Sequence, residues 1–263
     1  MPTYAHITVD HSHQDKVATI TMRRAEARNA FNTRLIKDLH EAFVELRSET
    51  RLHAVVLTGD GPAFSAGADL NMMKASATFS QEQNLNDALF TADLFQSINT
   101  FPTPVIARVN GTAMGGGLGL VSVCDIVIAV ESAQLAFSEV RLGIAPAMIS
   151  PYVVRKIGEA QARMLFVTGE TFSAAYARDI GLVHIVTTPE ELDAAVEKKV
   201  GELLKSAPLA MRACKALALN VGHMDHDTAR RHTAETIARL RVSPEGQEGL
   251  QAFLEKRKPN WIE

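Results

Sequence analysis

A chain of 263 residues with 46% hydrophobic and 22% charged side chains can bury a large core in one or two domains, which excludes a disordered protein. A net charge of −3, with basic residues scattered except at Lys256-Arg257-Lys258, leaves no electrostatic footprint for nucleic acid. Cys124 and Cys214 lack disulfide or metal spacing, Met1 to His6 hold no basic-then-apolar leader, and no apolar run approaches the ~18 residues of a membrane span. The expectation is a cytoplasmic protein with no membrane, metal or nucleic-acid partner.

Residues 5–10 and 16–22 alternate enough to predict a hairpin across Ser12–Asp15. Asn32 then caps a helix whose apolar positions Leu35, Ile36, Leu39, Phe43 and Leu46 recur at helical spacing. His53–Thr58 reads as a buried strand, Gly59-Asp60-Gly61-Pro62 as its turn, and Phe64 to Leu70 as a lead into a helix. Residues 81–99 predict another helix, with Leu85, Leu89 and Phe95 on a common face. Strands follow at 104–109, 125–130 and 134–137.

Beyond Pro146 the pattern turns mostly helical: 150–157, 159–167, 173–180, 190–206, 208–221, 225–241 and 244–257, separated by Gly or Pro signals. No repeat, low-complexity tract or linker interrupts the chain. Periodicity predicts α/β structure followed by α, with the change near residue 200.

Between strand 104–109 and the next, Asn110-Gly111-Thr112-Ala113-Met114 leads into Gly115-Gly116-Gly117. Three successive glycines have no packing value; they belong where a chain turns tightly or a ligand touches main chain. At a strand-to-helix junction they leave unpaired N–H groups aimed at an anion or a developing negative charge. The segment Ser65-Ala66-Gly67-Ala68-Asp69-Leu70 is a second such junction. The amides of Ala68 and Gly116 are therefore expected to form the paired donors of an oxyanion hole.

A dinucleotide fingerprint fits poorly here, because Leu120 stands where the last glycine of G-x-G-x-x-G would fall after Gly115 and Gly117. The segment Leu118–Val123 is also shorter than the dozen or so residues of a parallel crossover. A serine-hydrolase elbow fails at Ala63, where its first glycine is needed, so Ser65 is expected to be a loop residue. His223, Asp225, His226 and His232 could outline a metal site but read as a solvated helix end. Asp125 and Glu131 flank a strand and read as structural.

Glu139 is the strongest acid/base candidate. It follows Leu135-Ala136-Phe137 and precedes Val140, Leu142 and Ile144, so apolar surroundings should raise its pKa toward proton-shuttling range. The alternative is a plain helix N-terminal glutamate after Ser138, favoured by the dipole.

Ser65–Leu70 and Val109–Gly117 resemble the two signature segments of the crotonase (enoyl-CoA hydratase/isomerase) superfamily. The likeness continues through Cys124–Ala129 and Glu139–Pro146 to Glu248–Arg257. The resemblance implies a crotonase-type ββα spiral over 1–200, a helical trimerisation segment over 201–263, and a homo-trimer or hexamer. It also implies an acyl-CoA substrate with no further cofactor. Glu139 matches the superfamily's second catalytic glutamate. Ala66 to Leu70, including Ala68 and Asp69, would meet the adenine end of CoA through main-chain groups. Phe253 and Lys256 would approach the nucleotide from a neighbouring subunit, while Met72, Met73 and Met114 would line the acyl channel.

The departure is Gly119, which stands where ordinary hydratases carry the partner glutamate. One carboxylate is equally compatible with Δ3/Δ2 isomerisation, with a dehydratase of a carrier-bound thioester, or with a catalytically idle CoA-binding homologue. Gly117–Leu120, Ser138–Pro151 and Arg241–Gly249 are similar to a narrower branch, the bacterial methylglutaconyl-CoA and isohexenylglutaconyl-CoA hydratases, which also lack that glutamate. This implies hydration in leucine or acyclic terpene breakdown. A substrate with a second carboxylate calls for a cation in the acyl pocket, for which Arg141 and Lys74 are the candidates.

Overall fold

The structure, a computed structural model, describes residues 4–262. The hairpin is β1 (Ile7–Ser12) and β2 (Val17–Met22), paired antiparallel, and its turn holds His13, Gln14 and Asp15 all at positive φ. Helix α1 (Thr33–Leu46) begins as expected at Asn32, whose side chain accepts from the Leu35 N–H at 2.8 Å. Then follow β3 (Ala54–Gly59), β4 (Ala63–Ser65), α2 (Leu70–Ser76), α3 (Gln81–Asn99), β5 (Val105–Val109), β6 (Thr112–Met114) and α4 (Gly116–Val123). The next elements are β7 (Ile126–Val130), β8 (Gln134–Ala136), a 3₁₀ turn at Ser138–Leu142, α5 (Ser150–Thr168), β9 (Thr171–Ser173), α6 (Ala174–Asp179) and β10 (Ile185–Thr187). Helices α7 (Leu192–Leu204), α8 (Pro208–Asn220), α9 (His226–Val242) and α10 (Pro244–Leu254) complete the chain.

Three times the chain runs through a long strand, a short strand and then helix: β3–β4, β5–β6 and β7–β8. The long strands form a sheet of order β1-β2-β3-β5-β7-β10, and the short ones a second sheet of order β4-β6-β8-β9. This is the ββα spiral. Strands β3, β5 and β7 are almost wholly buried and pair in parallel, as expected for apolar runs covered on both faces.

The parallel register of the small sheet positions everything downstream. Ser65 lies opposite Ala113, Ala113 opposite Leu135, and Met114 opposite Ala136. The segments leaving these strands, Ala66–Asp69, Gly115-Gly116 and Phe137–Glu139, therefore emerge side by side at one end of the sheet.

Four short strands, β4, β6, β9 and β10, were not expected from the sequence. With three residues apiece they are too short to show a period. Ser65 accordingly ends a strand rather than lying in a loop, and its Oγ donates to the Asn29 carbonyl at 2.8 Å. On α3 the common face is also corrected: Phe95 is buried with Leu94 and Ile98, whereas Leu85 and Leu89 are exposed. The division at Gly158 appears as expected, with φ 75° and ψ 161° inside α5. Residue 200 lies within α7, and among the described residues only helical elements follow β10.

Asp125 ties the C-terminal helices to the body. Its Oδ2 accepts from the Val105 N–H at 2.7 Å and from Lys215 Nζ of α8 at 2.6 Å. The Lys215 side chain is only 7% exposed. Glu245 at the start of α10 in turn accepts from the first amides of α8, Leu209 at 2.9 Å and Ala210 at 3.0 Å.

Breaking a buried charge pair from one side leaves the other charge uncompensated. Lys215→Met is expected to lower unfolding stability by about 3 kcal/mol. Urea unfolding midpoints read this, and a change within error would show the pair to be dispensable.

Candidate active site

The Phe31 backbone pairs with the loop after β4 on both sides of Ala68: its N–H donates to the Gly67 carbonyl at 2.6 Å and its carbonyl accepts from the Asp69 N–H at 2.8 Å. In extended chain, neighbouring residues direct their backbone groups to opposite sides. The N–H of Ala68 therefore points away from Phe31, and the residue is exposed. No hydrogen bond to it occurs among the described residues.

Gly67, at φ +86°, lets this loop touch the next: a Cβ there would lie 2.7 Å from the Met114 carbonyl oxygen and 3.6 Å from the Gly116 nitrogen. Gly116 opens α4, where the first N–H groups have no partner inside the helix. Gly115, at φ +49°, makes the third contact, since a Cβ on it would lie 3.2 Å from Glu139 Oε1. Two backbone junctions and one carboxyl group thus meet across three glycine-thin contacts.

Glu139 lies in the Ser138–Leu142 turn. Its Oε2 is buried and has no hydrogen-bond partner among the described residues. Burial pushes the carboxyl pKa up, partly offset by a hydrogen bond from its own backbone amide. The buried Phe137 beside it packs on Phe166 and Phe172, with ring centroids 5.1 and 6.0 Å away. It occupies the first turn of a short helix, and its charged form is disfavoured.

Two residues that the sequence reading missed hold the first junction. Asn29 is fully buried at φ +54°; its Nδ2 donates to the carbonyls of Asp60 and Ala63 and its Oδ1 accepts from the Arg24 N–H, all at 2.9 Å. Arg24 reaches Asp69 at 2.9 Å, and it holds that carboxyl below the usual carboxylate range. Asp69 also caps α2, accepting from the Asn71 N–H at 2.8 Å. The only sequence signal for this was an acidic residue just before a helix.

The other expected residues are placed variously. Within Ala66–Leu70, the Ala66 amide donates to the Arg28 carbonyl at 2.9 Å and the Asp69 amide is used by Phe31, while Leu70 is exposed. Met72 packs against the core, and Met73 and Met114 are half-buried. Arg141 is exposed and its chain passes Gly169 at the end of α5, where a Cβ would lie 3.3 Å from Arg141 Cγ; Lys74 is exposed in the last turn of α2. Phe253, 81% exposed, lies in the last turn of α10, and Lys256 follows that helix at φ 54°.

Asp225 caps α9 through the Thr228 N–H at 3.0 Å. Among the described residues no group of three or more His, Cys, Asp or Glu side chains is placed to hold a metal. None of their helices is long and apolar enough to cross a membrane.

The family model described as enoyl-CoA hydratase/isomerase matches residues 12–263. The chain is 34% identical over 251 residues to a crotonyl-CoA hydratase of Syntrophomonas wolfei, covering 95% of each protein. Among solved structures it superposes on an enoyl-CoA hydratase from Shewanella pealeana with TM-score 0.93 and 39% identity, over 98% of this chain and 96% of that one. It also superposes on Pseudomonas aeruginosa AtuE with TM-score 0.95 and 32% identity, over 98% and 100%.

Because the folded pKa of Glu139 is raised, the folded state holds its proton more tightly than the unfolded chain. Between the two pKa values stability therefore falls as pH rises, and the deficit persists at neutral pH. Glu139→Gln removes this penalty. The variant is expected to melt above the parent at pH 7, with the gap closing below about pH 4, where the unfolded carboxyl is also protonated. Melting curves across that range check it; an equal gap at all pH values would refute it.

Proposed function

The chain belongs to the enoyl-CoA hydratase/isomerase family, and from that premise we propose that it adds water to an α,β-unsaturated acyl-CoA thioester. The observation that carries the proposal is the meeting of the Glu139 carboxyl, Gly115 and the Gly67–Gly116 contact. The N–H groups of Ala68 and Gly116 hold the thioester oxygen as it becomes enolate-like, each such donor being worth ~3–4 kcal/mol in comparable sites. The Glu139 carboxylate takes a proton from water as its oxygen bonds to C3. The enolate then collapses and C2 takes that proton back from the neutral acid. A carboxyl whose charged form is disfavoured by burial suits both halves of this exchange.

The printed names of relatives favour hydration and a short acyl chain: one is a crotonyl-CoA hydratase and another a short-chain-enoyl-CoA hydratase of Clostridium acetobutylicum, 33% identical. The finer substrate we propose is 3-methylglutaconyl-CoA, on the branch motifs around Gly117–Leu120 and Ser138–Pro151. Arg141 is the candidate cation for its second carboxylate. Main-chain groups of Ala66–Leu70, with Phe253 and Lys256 of a neighbouring copy, receive the CoA, and no further cofactor takes part. The exposed apolar side chains Val242, Leu250, Phe253 and Leu254 support self-association into a homo-trimer or hexamer through the C-terminal segment. We place the enzyme in the cytoplasm. A second reading, Δ3/Δ2 isomerisation, is favoured by the lone carboxyl, which could move one proton between two carbons.

Glu139→Gln is expected to lower kcat about 10²–10⁴-fold while CoA binding stays intact; parental turnover would remove the residue from the mechanism. A panel of enoyl-CoA thioesters including 3-methylglutaconyl-CoA, assayed in heavy-oxygen water, separates the reactions. Label in the product marks hydration, and a shifted double bond without label marks isomerisation.

A further inference from the structure

Gly119 lies one helical turn after Gly115 on α4, and its N–H donates to the Gly115 carbonyl at 3.0 Å. Cα–Cβ bonds in a helix tilt toward its N-terminus. A side chain at position 119 would thus reach back toward Gly115, the residue on which a Cβ would lie 3.2 Å from Glu139 Oε1. That seat is filled. A Cβ on Gly119 would lie 2.3 Å from Ile149 Cγ2 and 3.0 Å from Phe95 Cε1.

Ile149 is the hard obstacle, whereas Phe95 at 3.0 Å need give only a few tenths of an ångström. Ile149 is 2% exposed, is β-branched and therefore stiff at χ1, and leads into α5, its carbonyl accepting from the Tyr152 and Val153 amides at 3.1 Å. Phe95 is fully buried and stacks at a tilt on Phe31, with centroids 6.4 Å apart.

We propose that Ile149 is the specificity-determining residue that keeps this a one-carboxylate site, its γ2 methyl occupying the place that an acid at position 119 would need beside Glu139. The inference rests on the reading of Glu139 as the acid/base group. Positions 119 and 149 are then a coupled pair. With isoleucine at 149 the single acid must return the same proton it takes, which suits hydration by one shuttling group or a proton shift along the acyl chain.

Gly→Ala inside a helix ordinarily stabilises, so the sign of its effect is the test. In the parent, Gly119→Ala is expected to lower the melting temperature by roughly 5 °C or more. In an Ile149→Ala background the same change should raise it, because the new methyl enters the space vacated. An equal decrement in both backgrounds would overturn the proposal. Gly119→Glu with Ile149→Ala extends the test to chemistry: the pH profile of kcat/KM on crotonyl-CoA should gain a second ionisation from two interacting carboxyls. A profile identical to that of Ile149→Ala alone would show that the new acid does not reach Glu139, and would also overturn it. Should the glutamate variant fail to fold, the alanine pair still decides. A parent inactive on every enoyl-CoA would sink the functional reading but leave the melting comparison standing.

Discussion

The parallel pairing of three short strands sets the whole site. Strands β4, β6 and β8 contribute only three residues each, yet their register fixes which backbone atoms meet beyond them. A slip of one residue in such a sheet turns every group to the opposite face. The register is held by contacts that admit no slack. A Cβ on Gly111 would lie 2.1 Å from the Pro62 carbonyl oxygen, so the turns before β4 and β6 press directly on each other. Asn110 stitches the same turns, donating to the Gly61 carbonyl at 2.8 Å. The site is thus a product of main-chain geometry, and its side chains are few.

Main-chain donors serve a reaction only if they are already aimed. Ala68 owes its direction to Phe31, which occupies the backbone groups on either side of it. Phe31 in turn follows a loop in which Arg28 and Asn29 both adopt positive φ, a conformation costing roughly 1–2 kcal/mol per residue. The four hydrogen bonds around Asn29 and the Arg24–Asp69 ion pair offset that strain. Rigid donors need no reorganisation when charge develops, and this is where such sites gain their power.

Features carried by adjacent residues could be read from the sequence, and features made by distant ones could not. The hairpin turn, the Asn32 cap, the long buried strands and the break at Gly158 all have local causes, and each lies where the sequence put it. Glu139 was legible because its own neighbours, Phe137 above all, supply the apolar setting. Leu85 and Leu89 misled because their spacing is helical while the core meets a different face of α3. Arg24 and Asn29 were invisible because their partners, Asp69 and Ala63, lie 45 and 34 residues away. Gly119 could be seen to lack an acid, but only the packing shows what stands there instead.

That packing bears on the chemistry of the lone acid. A carboxylate beside a second carboxylate is pushed toward its neutral form by like-charge repulsion, and the pair titrates jointly. Glu139 reaches a raised pKa by another route, through burial with one oxygen unpartnered. Its proton affinity is therefore set by the walls around it rather than by the protonation of a neighbour. A group of this kind accepts and returns one proton with no second acid to keep in step. Gly115 supplies the remaining requirement, since the absence of a Cβ there lets the carboxyl approach the start of α4. The N-terminus of α4, where a negative charge on a bound group would be favoured, thus lies close to that carboxyl. On the proposed chemistry, glycine and isoleucine, neither of them a proton carrier, would be what allows a single glutamate to suffice.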